Sequence, residues 1–295
     1  MMAGRSSGVA LVLVLWILVL ITVASGAFTL MARMDQLEAN TLLSTTQARM
    51  SAEAAINLMA LQLRDADDFT RPVADGRPYG MTIGEVSVEV RVTDERGKLD
   101  INSAQEDTLF NLMVNNGLSP SDAELLAAAI LDWRDPDDLE RVNGAEVEAY
   151  ERAGLAVGPA NRPFMMKAEL LQVLGMPFEL YRQIDRGITV FSKASLPDLG
   201  FAPVEALMAL EGITLEEAEE FVAQRNELDL QSLTGLSLPN GQALVARGRG
   251  LTYSIVAKAT MPNGIWEQLE ATIRLGGTAD GRPFRVLSWR EGFHH

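Results

Sequence analysis

The first 32 residues constrain this chain more than any other part of it. From Ser6 to Ala32 no residue is charged, and from Val9 to Ile21 the side chains are aliphatic apart from Trp16. A helix from Val9 to Ala32 would be about 36 Å long at ~1.5 Å per residue, which is enough to cross the hydrocarbon core of a bilayer. Residues 9–32 are therefore predicted to form a transmembrane helix.

The helical pattern continues beyond this membrane-length segment. Apolar residues recur at helical spacing, with polar residues between them, and no proline interrupts the chain from Val9 to Leu63. One long helix with an amphipathic second half is the simplest prediction. The recurring residues are Ala48, Ala52, Ala55, Met59 and Leu63. The alternative is a cleavable secretory signal that ends at the small residues 24–27.

Charge and composition exclude several functions for the rest of the chain. The formal net charge is −15 and Arg5 is the sole charge before Arg33, so the body is strongly acidic and repels phosphate backbones. There are no cysteines, and the two histidines, His294 and His295, end the chain. The body therefore offers neither a catalytic Ser-His-Asp arrangement nor a zinc site with the usual nitrogen and sulfur ligands.

Strand patterns lie at both ends of the body. Residues 86–92 alternate valine with polar side chains, which predicts a half-buried strand, and Lys98 to Ile101 is predicted to be its return strand. Asp65 to Tyr79 contains two prolines and a glycine and is predicted to be a loop. Near the C terminus, Pro262-Asn263-Gly264 predicts a hairpin between two strand-like segments, and a last strand is predicted over 284–289.

The predicted fold class is α+β. A long N-terminal transmembrane and amphipathic helix packs on an antiparallel sheet, and a large all-helical domain is inserted between strands, so that the sheet closes around the insertion. The predicted divisions are a leader at 1–8, a transmembrane helix at 9–32, the amphipathic helix and first strands at 33–102, the helical domain at 103–248 and the returning strands at 249–295.

The helical domain contains two similar helix-loop-helix patterns, Leu99–Asp132 and Pro197–Asn226, which resemble helix-hairpin-helix or SAM-like modules. A membrane-anchored DNA-binding protein is therefore an alternative function. DNA-binding hairpins present backbone amides through a Gly-Ile-Gly turn with a lysine behind it. Here Gly212-Ile213-Thr214 is followed by Glu216 and Glu217, and these anions disfavour DNA.

An acidic segment follows the first of these patterns. It reads Asp-Trp-Arg-Asp-Pro-Asp-Asp over 132–138 and Asn-Gly-Ala-Glu over 143–146, and its proline and glycine indicate a loop. Hard oxygen donors without cysteine or histidine favour calcium, although the spacing is not that of an EF-hand. The alternatives are a solvated acidic loop and a carboxylate-based hydrolase, for which no spacing singles out a catalytic pair.

These motifs carry a family resemblance. The junction Ser7-Gly8-Val9-Ala10 resembles a prepilin peptidase cleavage site, and the fifth residue after it, usually glutamate in that superfamily, is Leu13. The acidic segment is followed by Asn-Arg-Pro-Phe at 161–164 and by an EL-x-x-V-x-GM pattern at 169–176. Together these features resemble component K of the type II secretion system, a minor pseudopilin. The segment 198–202 departs from the usual Asn-x-Asn-Thr-Ala step of that family.

The resemblance implies a pseudopilin fold and a non-enzymatic role at the tip of the pseudopilus. The implied partners are the I-type and J-type minor pseudopilins, the major pseudopilin, and the prepilin peptidase, which would cleave between Gly8 and Val9 before N-terminal methylation. The implied location is the inner membrane, crossed once, with the globular part in the periplasm. Leu13 offers no carboxylate to a subunit above it, which suits a terminal position.

The resemblance also implies bound calcium and a helical assembly surface. Calcium is expected at the matching acidic positions, Asp132, Asp135, Asp137, Asp138 and Glu146. Contacts with the helices of partner subunits are expected from Leu13, Ala48, Ala52, Ala55 and Met59. Alternatively, the alanine and methionine stripe packs on the chain's own sheet. Both can hold, because a helix has two faces.

Overall fold

The computed structural model describes residues 7–67, 69–156, 158–228, 236–244, 248, 250–276 and 281–292. Residues 1–6 of the predicted leader and both histidines lie outside these ranges. Helix α1 spans Ser7–Gln62, which confirms the predicted continuous helix. By length and composition, its portion Ala10–Gln62 could cross a membrane. Its side chains from Ala10 to Leu43 are exposed in the isolated chain.

A five-stranded antiparallel sheet follows α1, in the order β1-β2-β5-β6-β7. The valines of β2 are buried and its intervening residues are mostly exposed, as the alternation predicts. Because β2 pairs with β5, the sheet closes around the helical insertion, as expected. The strands are β1 (Asp75–Ile83), β2 (Val86–Asp94), β5 (Thr252–Thr260), β6 (Trp266–Leu275) and β7 (Phe284–Glu291).

The second half of α1 packs on one face of this sheet. Ala48, Ala52 and Ala55 are 0% exposed and Met59 is 1% exposed, in one cluster with the valines of β2 and apolar residues of β5 and β6. The alanine and methionine stripe therefore lies in the chain's own core, and it is not the face that α1 presents to solvent. Leu13, by contrast, is exposed.

Two strand predictions were wrong. Asp75–Ile83, predicted to be mostly loop, forms the edge strand β1. Its proline is tolerated because Pro78 adjoins a register shift in a strand with one neighbour. Lys98–Ile101 does not return along β2. Leu99–Asp100 instead forms β3, which pairs in parallel with β4 (Ile188–Thr189) in a separate two-stranded sheet.

The physical reason for the second error is a turn at the end of β2. The Asp94 carboxylate accepts a hydrogen bond from the backbone N–H of Arg96 and caps a short 3₁₀ turn, Glu95–Gly97, instead of a hairpin. Gly97 then passes against the backbone of Phe201, where a Cβ atom would lie 2.4 Å from the carbonyl carbon. The chain is thereby directed into the helical domain.

The helical domain has a hydrophobic core of its own, separate from the core beneath α1. Two helix pairs, α2 with α3 and α6 with α7, correspond to the two helix-loop-helix patterns. A 3₁₀ segment, Lys167–Gln172, lies between α4 and α5. The helices are α2 (Glu106–Asn115), α3 (Pro120–Arg134), α4 (Val147–Arg152), α5 (Phe178–Ile184), α6 (Val204–Leu207) and α7 (Leu215–Glu227).

Polar groups join the two cores. Glu95 is buried and its carboxylate accepts hydrogen bonds from Lys98 Nζ at 2.7 Å, from Ser254 Oγ at 2.5 Å and from Thr189 Oγ1. The coulombic attraction of Lys98 and these hydrogen bonds outweigh burial and lower the pKa of Glu95. Because burying an unpaired charge is costly, these bonds favour a single orientation of the helical domain on the sheet.

Two arginines make further connections between the cores. Arg290 of β7 reaches Asp185 at 3.0 Å and Glu270 at 2.6 Å. Arg225 of α7 is 0% exposed and donates to the carbonyl oxygens of Leu199, Ala202 and Asp75 at 2.9, 2.7 and 3.0 Å. The last contact ties the second helix pair to the edge strand β1.

Candidate functional site

The acidic loop connects α3 to α4 and lies on an aromatic base. Trp133, in the last turn of α3, stacks on Phe164 with ring centroids 6.0 Å apart and an interplanar angle of 12°. It also contacts Tyr150 of α4 at 6.2 Å. Arg134 donates to the carbonyl oxygens of Ile101 and Ala104, which fixes the end of α3 against the start of the domain. The loop therefore begins and ends on well-packed residues.

Asp132, in the last turn of α3, lies at the centre of the acidic cluster that the loop wraps. Its side chain is fully buried, and its Oδ2 atom accepts hydrogen bonds from the backbone N–H groups of Ala145 at 2.9 Å and Arg141 at 3.3 Å. A Cβ atom at Gly144 would lie 1.9 Å from this Oδ2 atom, so the loop can wrap the carboxylate because residue 144 is glycine. Asn143, which precedes it, has a φ of 66°.

Glu146 faces the same centre from the start of α4. It is 5% exposed, and neither of its carboxylate oxygens accepts a hydrogen bond from a residue that the structure describes. Burial, together with the nearby charges of Asp132 and Asp135 and smaller contributions from Asp138 and Asp137, raises the pKa of Glu146 to about 7. The charged form of Glu146 therefore lacks a stabilising partner among the described residues.

The remaining predicted ligands divide into two groups. Asp135 is partly buried, and its Oδ1 atom accepts no hydrogen bond within the described ranges. Asp138 is exposed, but its Oδ1 atom accepts from Asn161 Nδ2 at 2.7 Å and is thereby connected to the cluster. Asn161 then keeps its own Oδ1 buried and unpaired among the described residues. Asp137 is exposed and accepts from the backbone N–H of Leu139 at 3.0 Å.

The guanidinium of Arg141 already contacts this cluster. Arg141 Nη2 donates to Asp135 Oδ2 at 3.0 Å, and Arg141 Nε lies 3.2 Å from Asp132 Oδ1 as an ion pair. Neither Arg141 nor Asn161 was among the predicted ligands. Asn161 could have been found from its place in the Asn-Arg-Pro-Phe motif. The role of Arg141 depends on a fold-back of the loop that no local pattern encodes.

The donor chemistry of this cluster fits calcium. Asp132, Asp135, Glu146 and Asn161 each have a buried side-chain oxygen that accepts no hydrogen bond from a described residue, and all are hard donors of the kind that calcium collects in sets of six to eight. Within the described ranges no group of three or more carboxylates or histidines is already arranged to hold a metal ion. A bound ion would therefore require these side chains to converge, with Arg141 moving aside.

The predicted processing residues and the predicted assembly residues all lie in helix α1. Gly8 and Val9 lie in the first turn of α1, and the helix runs unbroken from there into the sheet-packed half. Because the stripe from Ala48 to Met59 is buried, a different set of apolar residues is exposed on this half of α1. They are Leu42, Leu43, Met50, Leu58 and Leu61.

A helix that is long and apolar enough to cross a membrane and continues onto an antiparallel sheet is the arrangement expected of a pilin-type subunit. The family model for the type II secretion system (T2SS), protein K matches residues 54–193. The type II secretion system protein K of Klebsiella pneumoniae is 30% identical over 254 residues, which cover 76% of each chain. The chain belongs to the type II secretion system protein K family.

Other comparisons agree with this assignment. The type II secretion system protein K of Pectobacterium carotovorum subsp. carotovorum is 26% identical over 279 residues, covering 83% of this chain and 85% of the relative. The fold is also similar to a chain in the crystal structure of the GspK-GspI-GspJ complex from the enterotoxigenic Escherichia coli type 2 secretion system. That match has a TM-score of 0.57 and 18% identity and covers 89% of this chain and 99% of the other.

Proposed function

We propose that this chain is a non-enzymatic minor pseudopilin that caps the tip of the type II secretion pseudopilus. The observation that carries the proposal is the helical domain inserted between β2 and β5, on a subunit of pilin type. A domain of this bulk hinders stacking of further copies above it. Leu13 supports the same position, because a leucine cannot pair with the N-terminal amine of a neighbouring subunit.

In this proposal the chain is processed between Gly8 and Val9 and anchored once in the inner membrane, with its globular part in the periplasm. Its partners would be the I-type and J-type minor pseudopilins and the major pseudopilin. Partners anchored by similar helices would approach α1 from the side, in the membrane and above it. The surface of α1 that faces away from its own sheet is the one available to them.

Two exposed apolar residues of α1 beyond the predicted membrane segment support a helix-binding role for that surface. Leu43 and Met50 lie two helical turns apart and, with Ile83 of β1, line a shallow apolar groove. Both are more than 60% exposed in the isolated chain. Exposed apolar surface of this kind typically marks an interaction site.

Co-purification tests this assignment. With the full chain co-expressed with its I-type and J-type partners, we expect the double variant Leu43→Asp and Met50→Asp to lose at least about tenfold in recovery of the complex from detergent-solubilised membranes. Leu125→Asp makes the same chemical change on α3, at a residue 47% exposed, and should recover the complex normally. Full recovery with the double variant would contradict the assembly role of this surface.

We further propose that calcium binds at the acidic loop, through Asp132, Asp135, Glu146 and Asn161, with Asp138 as a nearby acid. The ion would supply positive charge to a cluster whose buried oxygens have too few hydrogen bonds. It would thereby hold the connection from α3 to α4 closed. Asp137 points outward and would take no direct part.

Thermal unfolding tests the calcium proposal. The full chain in detergent should melt at a higher temperature in calcium than in chelator, because a ligand at about 100 times its Kd stabilises a protein by ~2.7 kcal/mol. Glu146→Gln should reduce this increase strongly, and Asp137→Asn should leave it almost intact. Identical melting temperatures with calcium and with chelator would refute the site.

A further inference from the structure

The inference concerns Arg141 and rests on the calcium site proposed above. Within the loop 135–146, Arg141 is the one basic residue, and the structure describes that whole segment. Its guanidinium bridges Asp132 and Asp135, with Nε 3.2 Å from Asp132 Oδ1 and Nη2 3.0 Å from Asp135 Oδ2. The bridge thus joins two of the carboxylates that a calcium ion would need.

Arg141 is bound to the loop through its backbone and, separately, through its side chain. Its backbone N–H bonds to Asp132 Oδ2 and belongs to the loop's framework. Its guanidinium contacts only the two carboxylates among the groups that the structure describes, and the side chain is 46% exposed. The guanidinium is the solvent-facing member of these ion pairs and can therefore move into solvent without disturbing the backbone. Its attraction to the buried carboxylate of Asp132 and to Asp135 opposes that movement.

Competition follows from the shared atoms. A calcium ion and a guanidinium are both positive, both bind carboxylate oxygens, and both would occupy the space between Asp132 and Asp135. Coulomb repulsion prevents both from lying there together at contact distance. A ligand that can bind only after another contact breaks binds more weakly, because the free energy of breaking that contact opposes its binding free energy.

We propose that Arg141 is an internal counter-ion of the acidic loop, which bridges Asp132 and Asp135 and is displaced when calcium binds. The bridge neutralises part of the carboxylate charge and holds the loop together. The same bridge weakens calcium binding, so Arg141 sets the concentration of the ion at which the loop switches from one cation to the other.

Calcium titration by calorimetry, on the full chain in detergent, tests the proposal. Arg141→Gln should bind calcium about tenfold more tightly than the natural chain, as expected when a coupling of this kind is removed. In chelator the same variant should melt at a lower temperature, because the carboxylates lose their counter-ion. Arg141→Lys keeps the charge without the bridging geometry and should bind with intermediate affinity.

The matched control is Arg152→Gln. Arg152 lies on α4, its side chain is exposed, and its Nε donates to the carbonyl oxygen of Glu148 and touches none of the loop carboxylates. The Arg152→Gln substitution removes one positive charge from the same region. We expect it to change the calcium affinity less than twofold and to leave the melting temperature unchanged. An equal gain in this control would show a general charge effect and overturn the proposal.

The remaining outcomes are also decisive. If the natural chain binds calcium and Arg141→Gln binds it no more tightly, displacement of Arg141 is wrong and the calcium site stands. If neither protein binds calcium, both the site and the displacement are wrong. If Arg141→Gln does not fold, the lysine variant decides, since affinity equal to that of the natural chain would refute a bridge that depends on guanidinium geometry.

Discussion

The substitution Gly144→Ala should damage the acidic loop through a single added methyl group. Gly144 is not among the glycines with positive φ, so its backbone conformation suits any residue and the cost is steric. The added Cβ would lie 1.9 Å from Asp132 Oδ2 and 3.0 Å from the backbone nitrogen of Arg141. The carboxylate of Asp132 must therefore withdraw to reach an ordinary contact of at least 3.4 Å.

The magnitude follows from the hydrogen bonds that such a movement breaks. Asp132 Oδ2 accepts from the N–H of Ala145 at 2.9 Å and from that of Arg141 at 3.3 Å. Hydrogen bonds to a charged group contribute about 1.5–3 kcal/mol each, and the longer bond counts for less. We expect a loss of about 2–4 kcal/mol in the free energy of unfolding, or roughly 5–15 °C in melting temperature.

Thermal unfolding followed by circular dichroism, in chelator, measures this loss. Gly80→Ala is the matched control, because Gly80 in β1 also lacks a positive φ and a Cβ there would meet no atom within 4 Å. That variant should melt within about 2 °C of the natural chain. If Gly144→Ala also melts that close to the natural chain, the loop does not hold Asp132 as described, and the argument from its close approach fails.

Two further predictions concern buried charges. Glu146 has a pKa of about 7 in the folded protein against an ordinary value of 4.5, so the folded state keeps a proton that the unfolded chain releases between those pH values. In chelator the melting temperature should therefore fall as the pH rises from 4.5 to 7 by more in the natural chain than in Glu146→Gln, and equal profiles would contradict the shift. Arg225→Met should lower the free energy of unfolding by about 2–4 kcal/mol, because it removes the buried guanidinium that donates to three backbone carbonyl groups. Urea unfolding measures this, and Arg182→Met, at a side chain 64% exposed, should cost less than about 0.5 kcal/mol.

Local patterns determined the elements that do not depend on distant partners. The uncharged N-terminal segment and the absence of proline were sufficient for α1, because helix periodicity and membrane length are properties of neighbouring residues. The valine alternation predicted β2, and Asn263-Gly264 predicted the turn between β5 and β6, where Gly264 has a φ of 86°. The composition of the acidic segment likewise identified a cluster of hard oxygen donors.

Long-range contacts decided the rest. Strand β1 has a sequence that resembles a loop and exists because β2 offers it an unpaired edge, and β3 pairs with a strand in the helical domain nearly ninety residues away. By sequence alone, the alanine stripe of α1 could contact either partner subunits or the chain's own sheet. Only the tertiary packing shows that it contacts the sheet.

The same distinction applies within the acidic loop. The sequence by itself identified which residues are acidic, but the five predicted ligands are indistinguishable at that level. Tertiary structure buries Asp132 and Glu146, turns Asp137 outward, and places Asn161 and Arg141 among them. Charge and hydrogen-bonding capacity are properties of a residue, whereas burial, pKa and the partner that satisfies a carboxylate depend on what the fold packs around it.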